Sequence, residues 1–502
     1  MRDGSFDIGL ADEAATWRLG EDLALALRPG DLVQLEGDLG AGKTTLARAL
    51  IRAVADDPEL EVPSPTFTLV QSYDLRIPVH HLDLYRLGAA EEIDELGVDE
   101  LAASGIVLVE WPERAADRLP PPALTIRLGH EGDGRRIHVS GTAPALARLT
   151  RSLAVRAFLA GAGWGEATRR FMFGDASTRA YEIVEKAGQR RVLMNAPRQP
   201  DGPVIRDGKP YSQIAHLAED VLPFVAIGEA LKGAGFAAPE IQAADIDAGL
   251  LLVEHLGTGS FLADDGSPLA ERYAEAGRLL AALHGRAWPD TIATSRGPVH
   301  RVPAYDRGAM TIEVELLTDW YMPYATGTPV STETKAAYVA AWNRVFDRLD
   351  RAEKSLVLRD YHSPNIVWRG DREGLDRLGL VDFQDAMIGP AAYDLASLAM
   401  DARVTIPTEM ERATVEAYAE ARTAAGAFDR AAFDEAYAIM AAQRNAKILG
   451  IFVRLDRRDG KPAYLKHLPR IRAYFARALA HPALEPVAAF CRDAGLLDDA
   501  TP

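Results

Sequence analysis

A glycine-rich loop between a short apolar strand and an amphipathic helix is the feature that most restricts the fold of this chain. The segment LVQLEGDLGAGKTTLARALIRAV follows Asp31 and contains the pattern G-x-x-x-x-G-K-[ST]. The backbone N–H groups of such a loop bind phosphates together with the N-terminus of the helix, the lysine reaches the outer phosphates, and the hydroxyl binds magnesium. The pattern therefore predicts an α/β P-loop NTPase domain. The predicted nucleotide ligands are Gly37, Gly40, Gly42, Lys43, Thr44 and Thr45.

Three later segments fit the same site. The loop PSPTFTLV offers the hydroxyls of Ser64 and Thr66, and Asp83 ends the strand in HHLDLYRL. A buried-looking strand from Ile106 delivers Glu110, at the place where P-loop enzymes hold a carboxylate near the attacking water. Each feature alone also fits a simpler structure, since the loop resembles an ordinary turn and an aspartate at a strand end is commonly a cap.

Taken together, these segments resemble the TsaE family, the small ATPase subunits of the bacterial machinery that makes threonylcarbamoyladenosine in tRNA. GDLGAGKTT, SPTFTLVQSY, HLDLYRL and LVEWPER occur in this order, and the resemblance covers residues 5–140. It implies that Lys43 and Thr44 bind nucleotide and magnesium, that Asp83 supports the metal, and that Glu110 belongs to the hydrolytic site. It also implies partner proteins, namely those of the threonylcarbamoyl synthase complex.

The charge balance bears on these partners. Residues 1–150 contain 14 Lys and Arg against 26 Asp and Glu, whereas the other 352 residues contain 42 against 47. Because counterion release rewards basic surfaces, the acidic first part argues against direct binding to nucleic acid. The single cysteine, Cys491, excludes an internal disulfide, and no signal peptide or membrane-spanning run is visible. The expected location is the cytoplasm.

A run of three prolines after Leu119, and the small-residue segment SGTAPA before a predicted helix at 146–160, place a domain junction near Ala145. The predicted domains are residues 1–145 and 146–502, the second with an N-lobe over about 165–256 and a C-lobe over about 257–502.

The second domain contains a pattern typical of kinases. LRDYHSPNIVW places Asp360 five residues before Asn365, and LGLVDFQDA places Asp382 at the end of an apolar strand. A phosphotransferase needs a carboxylate that orients the attacking hydroxyl and accepts its proton, and an Asn and an Asp that hold magnesium on the nucleotide phosphates. We therefore predict Asp360 as the base, Asn365 and Asp382 as metal ligands, and an α+β protein-kinase-like bilobal fold.

The predicted N-lobe departs from the usual kinase pattern. The turn in FMFGDASTRAYEIV has only Gly174 where a typical phosphate-covering loop has three glycines. The following strand, RVLMN, ends in Asn195 where a kinase normally presents a lysine, so either another cation serves or the metal carries more of the charge. The segment GLLLVEHL reads as a hinge for adenine, with Glu254 and Leu256 as nucleotide contacts, although a plain core strand would look the same.

The motifs GDASTRAYEIV, VLMNAP, LLVEHLG, LRDYHSPNIVW and VDFQDAMIGPAAYDLASL resemble the aminoglycoside phosphotransferase superfamily. Within it they are most similar to the AmgK branch of cell-wall sugar kinases, which also lacks the strand lysine. The resemblance covers residues 150–500 and implies ATP-dependent phosphorylation of N-acetylmuramate or N-acetylglucosamine at the anomeric hydroxyl. Leu358 departs from the superfamily, which often has His there, and Asn195 stands where an acid is common.

Two alternatives remain at this stage. The second domain could phosphorylate an aminoglycoside or a choline-like amino alcohol, although such cationic substrates usually require a ring of carboxylates that its modest net charge does not demand. The first domain could be a non-catalytic module that senses nucleotide for a partner. The leading hypothesis is a bifunctional protein that uses ATP and Mg²⁺ in both domains, without direct contact to nucleic acid or membrane.

Overall fold

A computed structural model describes residues 4–172 and 179–497. The turn around Gly174 lies outside the described residues. Contacts between residues divide the chain into two compact units. The first contains the residues up to Ala196 together with Leu250–Val253, and the second contains Pro197–Gly249 and the residues from Glu254 onward. Over the described ranges, no helix has both the length and the apolar character needed to cross a bilayer.

The first unit alternates strands and helices, as expected for an α/β domain. Its elements up to Asn195 are β1 (Gly4–Leu10), α1 (Glu13–Ala26), β2 (Leu32–Glu36), α2 (Lys43–Ala55), β3 (Val70–Tyr73), β4 (Val79–Asp83), α3 (Val98–Ser104), β5 (Ile106–Glu110), β6 (Leu124–Glu131), β7 (Gly134–Gly141), α4 (Ala143–Gly161), β8 (Thr168–Met172), β9 (Ala180–Lys186) and β10 (Gln189–Asn195).

Seven strands form one sheet in the order β1-β7-β6-β2-β5-β4-β3. β2 is parallel to both of its neighbours, and β4 is parallel to β5, so the carboxyl ends of β2, β4 and β5 meet at one edge. These strands are apolar because both faces of the sheet are covered. Leu23 of α1 and Leu50 of α2 are buried against this sheet in one core with Val33. The edge at which the parallel strands end is where a P-loop fold binds its ligand.

Strands β8, β9 and β10 form antiparallel neighbours of a second sheet, which is the predicted kinase N-lobe. β8 is tied to the P-loop domain by Arg169, whose side chain is 1% exposed. Its guanidinium donates to Asp22 of α1 (2.6 Å), to Glu182 of β9 (2.7 and 2.9 Å) and to Ser152 of α4. Arg156 of α4 also donates to Asp22, at 3.0 Å.

We call Glu21, Asp22, Arg156, Arg169 and Glu182 the ion cluster. Burial lowers the pKa of the Arg169 guanidinium, but Glu182 and Asp22 more than offset it, so the pKa is raised. Burial raises the pKa of the Glu21 carboxyl, against the opposing effect of Arg156. Because buried charges are tolerated only when paired and hydrogen-bonded, these contacts hold α1, α4 and β8 in one arrangement.

The ion cluster bears on the domain division. The helix predicted at 146–160 is present as α4, and residues on both of its sides belong to the same compact unit. The boundary near Ala145, which rests on the proline run and the segment SGTAPA, therefore stays a prediction.

The second unit is mainly helical. The remaining elements of the chain are β11 (Val204–Arg206), β12 (Lys209–Pro210), α5 (Tyr211–Ile214), α6 (Leu222–Gly233), β13 (Ile241–Asp245), β14 (Leu250–Glu254), α7 (Ala270–His284), β15 (Thr291–Ile292), β16 (His300–Arg301), α8 (Arg307–Leu316), α9 (Met322–Thr326), α10 (Thr332–Phe346), β17 (Lys354–Val357), β18 (Ile366–Trp368), β19 (Leu378–Leu380), β20 (Met387–Pro390), α11 (Ala392–Ala399), α12 (Thr408–Ala425), α13 (Arg430–Arg457), α14 (Leu468–Leu479) and α15 (Glu485–Asp493).

Two short antiparallel pairs support the predicted kinase site. β17 pairs with β20, and β18 pairs with β19. The loop from β17 to β18 therefore lies beside the loop from β19 to β20. The first loop contains Asp360 and Asn365 and the second contains Asp382, so residues distant in sequence share one end of the two pairs.

Candidate active sites

The glycine-rich loop ends at the first residue of α2, as the sequence predicts. Gly37, Gly40 and Gly42 have φ angles of 134°, 79° and 107°, which favour glycine. At Gly37 a side chain is also excluded by space, since a Cβ would lie 2.3 Å from the carbonyl oxygen of Leu128. The loop and the start of α2 line a cavity of about 330 Å³. The predicted ligands that line it are Gly40, Gly42, Lys43, Thr44, Thr45, Asp83 and Glu110.

Lys43 lies over this cavity with its ammonium group held by the loop. Nζ donates to the carbonyl oxygens of Gly37 (2.6 Å) and Asp38 (3.0 Å), and it lies 3.6 Å from the ring centroid of Trp111. Burial lowers the pKa of Lys43, and nearby carboxylates, chiefly Glu110, oppose the shift. In P-loop proteins the lysine at this position reaches the outer phosphates of the nucleotide, and for Lys43 that role stays a prediction.

Glu110 is fixed on both of its oxygens. Thr44 Oγ1 donates to Oε2 at 2.8 Å, and His81 Nε2 lies 2.9 Å from Oε1. His81 and Glu110 are buried, and His81 belongs to β4, next to the strand β5 that ends in Glu110. We did not predict this histidine. The signal was its position two residues before Asp83, because residues i and i+2 of a strand share a face.

Asp83 organises the loop that precedes β3. Its Oδ2 accepts hydrogen bonds from Ser64 Oγ (2.8 Å) and Thr66 Oγ1 (2.7 Å), and its Oδ1 accepts one from the Tyr85 backbone N–H (3.1 Å). The hydroxyls suggested by PSPTFTLV therefore meet the aspartate suggested by HHLDLYRL. A metal ligand role for Asp83 and Thr44 stays a prediction.

In the second unit, Asp360, Asn365 and Asp382 are brought together by the paired loops. Asn365 Nδ2 donates to Asp382 Oδ2 (3.2 Å) and to the Asp360 carbonyl oxygen (3.0 Å). Gln384 Nε2 donates to Asp382 Oδ1 at 2.8 Å. All three predicted side chains are partly exposed, so a ligand can reach them. The Asn365 amide therefore links the carboxylate of Asp382 to the backbone of Asp360.

The loop before Asp360 is held from below by Asp394 of α11. Asp394 is fully buried and accepts hydrogen bonds from the backbone N–H groups of Leu358 (2.6 Å) and Arg359 (2.8 Å). Asp394 therefore braces the loop that contains Asp360 and Asn365. Two acceptor oxygens directed at consecutive N–H groups fix the direction in which the chain enters Asp360.

A second buried support lies under the same loop. Arg359, with a φ of 72°, donates to Glu313 of α8 and to the Ala215 carbonyl oxygen (2.9 Å). Lys447 of α13 lies 3.0 Å from Glu313, and Gln443 donates to it at 2.8 Å. Burial raises the pKa of the Glu313 carboxyl, but the opposing effect of Arg359 and Lys447 is larger. The pKa therefore falls to about 2. A residue whose backbone is held at an unfavourable φ by a buried ion pair is typical of functional loops.

The oxygen-bearing side chains of this site suit magnesium. Mg²⁺ prefers oxygen ligands and is commonly held by one or two side chains plus substrate phosphates. Within residues 4–172 and 179–497 no three His, Cys, Asp or Glu side chains form a metal site by themselves. Magnesium ligation by Asn365 and Asp382 stays a prediction.

Glu254 and Leu256 of the predicted hinge contact other residues of the second unit, and Asn195 contacts an arginine of the first. The Glu254 backbone N–H donates to the Glu240 carbonyl oxygen at 2.8 Å, and Leu256 is buried against Gly379. At the end of β10, Asn195 Oδ1 accepts hydrogen bonds from Arg151 of α4 at 2.7 and 3.0 Å. A guanidinium thus stands beside the strand end at which a kinase lysine would lie. Nucleotide contacts by Glu254 and Leu256 stay predictions.

Comparisons with known proteins match both parts of the chain. Residues 10–137 match the family described as threonylcarbamoyl adenosine biosynthesis protein TsaE, and residues 169–435 match the phosphotransferase enzyme family APH. An N-acetylmuramate/N-acetylglucosamine kinase of Caulobacter vibrioides is 34% identical over 351 residues, which are 68% of this chain and 95% of that protein. One of Pseudomonas aeruginosa is 32% identical over 329 residues, 63% of this chain and 86% of that protein.

The first part has relatives of its own. The tRNA threonylcarbamoyladenosine biosynthesis protein TsaE of Rickettsia felis is 39% identical over 129 residues, which are 26% of this chain and 75% of that protein. The two sets of relatives match different segments of one chain, which confirms the predicted fusion of a P-loop ATPase domain with a kinase domain.

Proposed function

Because the chain belongs to the TsaE family through residues 10–137 and to the APH phosphotransferase family through residues 169–435, we propose that it combines two ATP-dependent activities. The kinase domain phosphorylates the anomeric hydroxyl of N-acetylmuramate or N-acetylglucosamine, as in cell-wall recycling. The P-loop domain hydrolyses ATP as a subunit of the apparatus that makes threonylcarbamoyladenosine in tRNA.

The kinase proposal is carried by the contact between Asn365 and Asp382 beside Asp360. Asp360 orients the sugar hydroxyl and accepts its proton as the oxygen attacks the γ-phosphorus of ATP, and ADP leaves. Asn365 and Asp382 would hold Mg²⁺, which supplies positive charge to the phosphates. Asp394 keeps the loop in place, because its hydrogen bonds fix the backbone of Leu358 and Arg359, the two residues before Asp360.

Identification of the product tests this activity. The full chain is incubated with ATP and, separately, with N-acetylmuramate, N-acetylglucosamine, choline and an aminoglycoside. We expect phosphate transfer to the acetylated amino sugars, with the phosphate on the anomeric oxygen as determined by ³¹P–¹³C NMR coupling. Transfer to choline or the aminoglycoside alone, or to a sugar hydroxyl other than the anomeric one, would contradict the proposal.

The ATPase proposal is supported by the side chains gathered around the loop at Gly37–Thr44. Lys43 and the N-terminus of α2 would bind the phosphates, and Thr44 and Asp83 would hold Mg²⁺, which neutralises phosphate charge. Glu110 would orient the attacking water, and His81 holds Glu110 from behind. Its partners would be proteins of the threonylcarbamoyl synthase complex, and both activities suit the cytoplasm, where ATP is available.

Lys43→Ala separates the two activities. It removes the ammonium group that reaches the outer phosphates, so we expect ATP hydrolysis without sugar, measured with the synthase partners present, to fall at least about tenfold. Sugar phosphorylation by the same variant is expected to stay within twofold of wild type. The matched control is Lys209→Ala, an exposed lysine of β12 outside both sites. Loss of both activities in Lys43→Ala alone would show that the sites are not independent.

A further inference from the structure

Basic side chains gather on one side of the catalytic loop of the kinase domain. Arg403, in the segment between α11 and α12, donates from Nη1 to His362 Nε2 at 3.2 Å. His362 Nε2 lies 3.5 Å from Asn365 Nδ2, which in turn contacts Asp382. Two contacts therefore separate the Arg403 guanidinium from the pair that would hold magnesium. Arg403 is partly exposed and His362 is buried.

Further cations surround Arg403. Burial lowers the pKa of the Arg403 guanidinium, Tyr464 opposes the shift and Arg444 of α13 adds to it. Burial also lowers the pKa of His467, and Arg470, Lys466 and Arg403 lower it further, against Asp401. We call Arg403, Arg444, Lys466, His467 and Arg470 the basic cluster. Like charges collected in partly desolvated surroundings lower each other's pKa and favour a bound anion.

Asp401, the carboxylate beside the basic cluster, accepts hydrogen bonds from Ser363 and from the Arg403 backbone. Asp401 Oδ2 accepts hydrogen bonds from the Ser363 backbone N–H (3.0 Å) and from Ser363 Oγ (2.6 Å), and Asp401 Oδ1 accepts one from the Arg403 backbone N–H (2.8 Å). These contacts fix the backbone of Arg403 relative to the catalytic loop. The side chain is thereby placed beside the loop by its own main chain and by His362.

The two sugars of the proposed reaction differ in one group that matters here. N-acetylmuramate carries a lactyl carboxylate on the oxygen of C3, whereas N-acetylglucosamine has a free hydroxyl there. Guanidinium groups bind carboxylates by charge-assisted, often bidentate, hydrogen bonds. An arginine that contacts the loop containing the proposed base is thus suited to the acidic sugar, whereas the neutral sugar offers it no carboxylate.

We propose that Arg403, oriented by His362, binds the lactyl carboxylate of N-acetylmuramate and thereby sets the preference between the two sugars. This inference rests on the proposed sugar-kinase function. A nucleotide phosphate is the other anion that suits this chemistry, and the KM for ATP distinguishes it from the sugar carboxylate.

The test uses Arg403→Gln and Arg403→Lys in the full chain, with Arg372→Gln as a matched control on an exposed arginine between β18 and β19. For Arg403→Gln we expect kcat/KM for N-acetylmuramate to fall roughly ten- to a hundredfold, the size of one charge-assisted hydrogen bond. For N-acetylglucosamine we expect a change within twofold. Arg403→Lys should recover part of the loss, and the control should behave as wild type.

A neutral form of the acidic sugar tests carboxylate recognition in the wild-type protein, without relying on a substitution. The methyl ester of N-acetylmuramate removes the carboxylate charge, so wild type should show a kcat/KM for the ester roughly tenfold or more below that for the acid, and Arg403→Gln should treat ester and acid alike. Phosphorylation of N-acetylglucosamine by the variant shows that it is folded.

Three results would overturn the inference. Equal losses for both sugars would indicate a general structural role, and a raised KM for ATP with both sugars would indicate a nucleotide phosphate. Equal use of acid and ester by wild type would exclude carboxylate recognition. If wild type phosphorylated only N-acetylglucosamine, this inference would fail while the sugar-kinase function stood; inactivity on both sugars would reject that function itself.

Discussion

Asp360→Asn is expected to lower kcat for sugar phosphorylation by about 10² to 10⁴-fold, the contribution of a positioned general base. Asparagine has nearly the same shape but cannot accept the proton of the attacking hydroxyl. The Asp360 carbonyl oxygen still accepts from Asn365, and Asp394 still holds the two residues before it, so the loop should keep its conformation. Steady-state rates with saturating ATP measure the effect, and the KM for ATP should change little.

The matched control is Asp371→Asn, which alters an exposed aspartate between β18 and β19. We expect its kcat to remain within twofold of wild type. Hydrolysis of ATP by the P-loop domain should be unchanged in both variants. Wild-type-like turnover in Asp360→Asn would falsify the assignment of the base.

Asp22→Asn is expected to lower the free energy of unfolding of the first unit by about 3 to 5 kcal/mol, as for other broken buried ion pairs. The neutral amide leaves the guanidiniums of Arg156 and Arg169 buried without the carboxylate between them. Because Arg169 belongs to β8, the loss should appear in the kinase N-lobe as well as in α1. Native-state hydrogen exchange of the amides of β8 and β9 measures it there.

Asp7→Asn provides the comparison, because Asp7 forms an exposed pair with His138 in the same domain. An exposed pair contributes about 0 to 1 kcal/mol, so this substitution should hardly alter exchange. If the amides of β8 exchanged as slowly in Asp22→Asn as in Asp7→Asn, the ion cluster would not be what joins the P-loop domain to that strand.

The local patterns of the sequence predicted the two folds and which candidate site residues lie near one another. The G-x-x-x-x-G-K-[ST] pattern and the spacing of Asp360 and Asn365 are short-range signals, because one loop supplies several ligands. Asp382 was also predictable, since it ends an apolar strand. The structure brings these groups together as expected at Gly42–Thr44 and at the paired loops of β17 to β20.

The supports of these sites could not be read from local patterns. Glu313 is 46 residues from Arg359, which it holds, and His81 is 29 residues from Glu110. The position of His81 two residues before Asp83 places both on one face of the strand, but the partners of His81 and Glu313 are visible only in the folded chain. Most of the contacts that the sequence did not predict are between side chains far apart in the chain, such as the hydrogen bond from Arg169 to Asp22.

The ion cluster also limits how the chain can be shortened. A protein that began near Ala145 would keep Arg169 and Glu182 but lack Glu21 and Asp22, which accept hydrogen bonds from Arg169 in the full chain. Strand β8 would thereby lose its attachment to α1, so the first 145 residues serve as part of the support of the second sheet as well as a nucleotide-binding candidate.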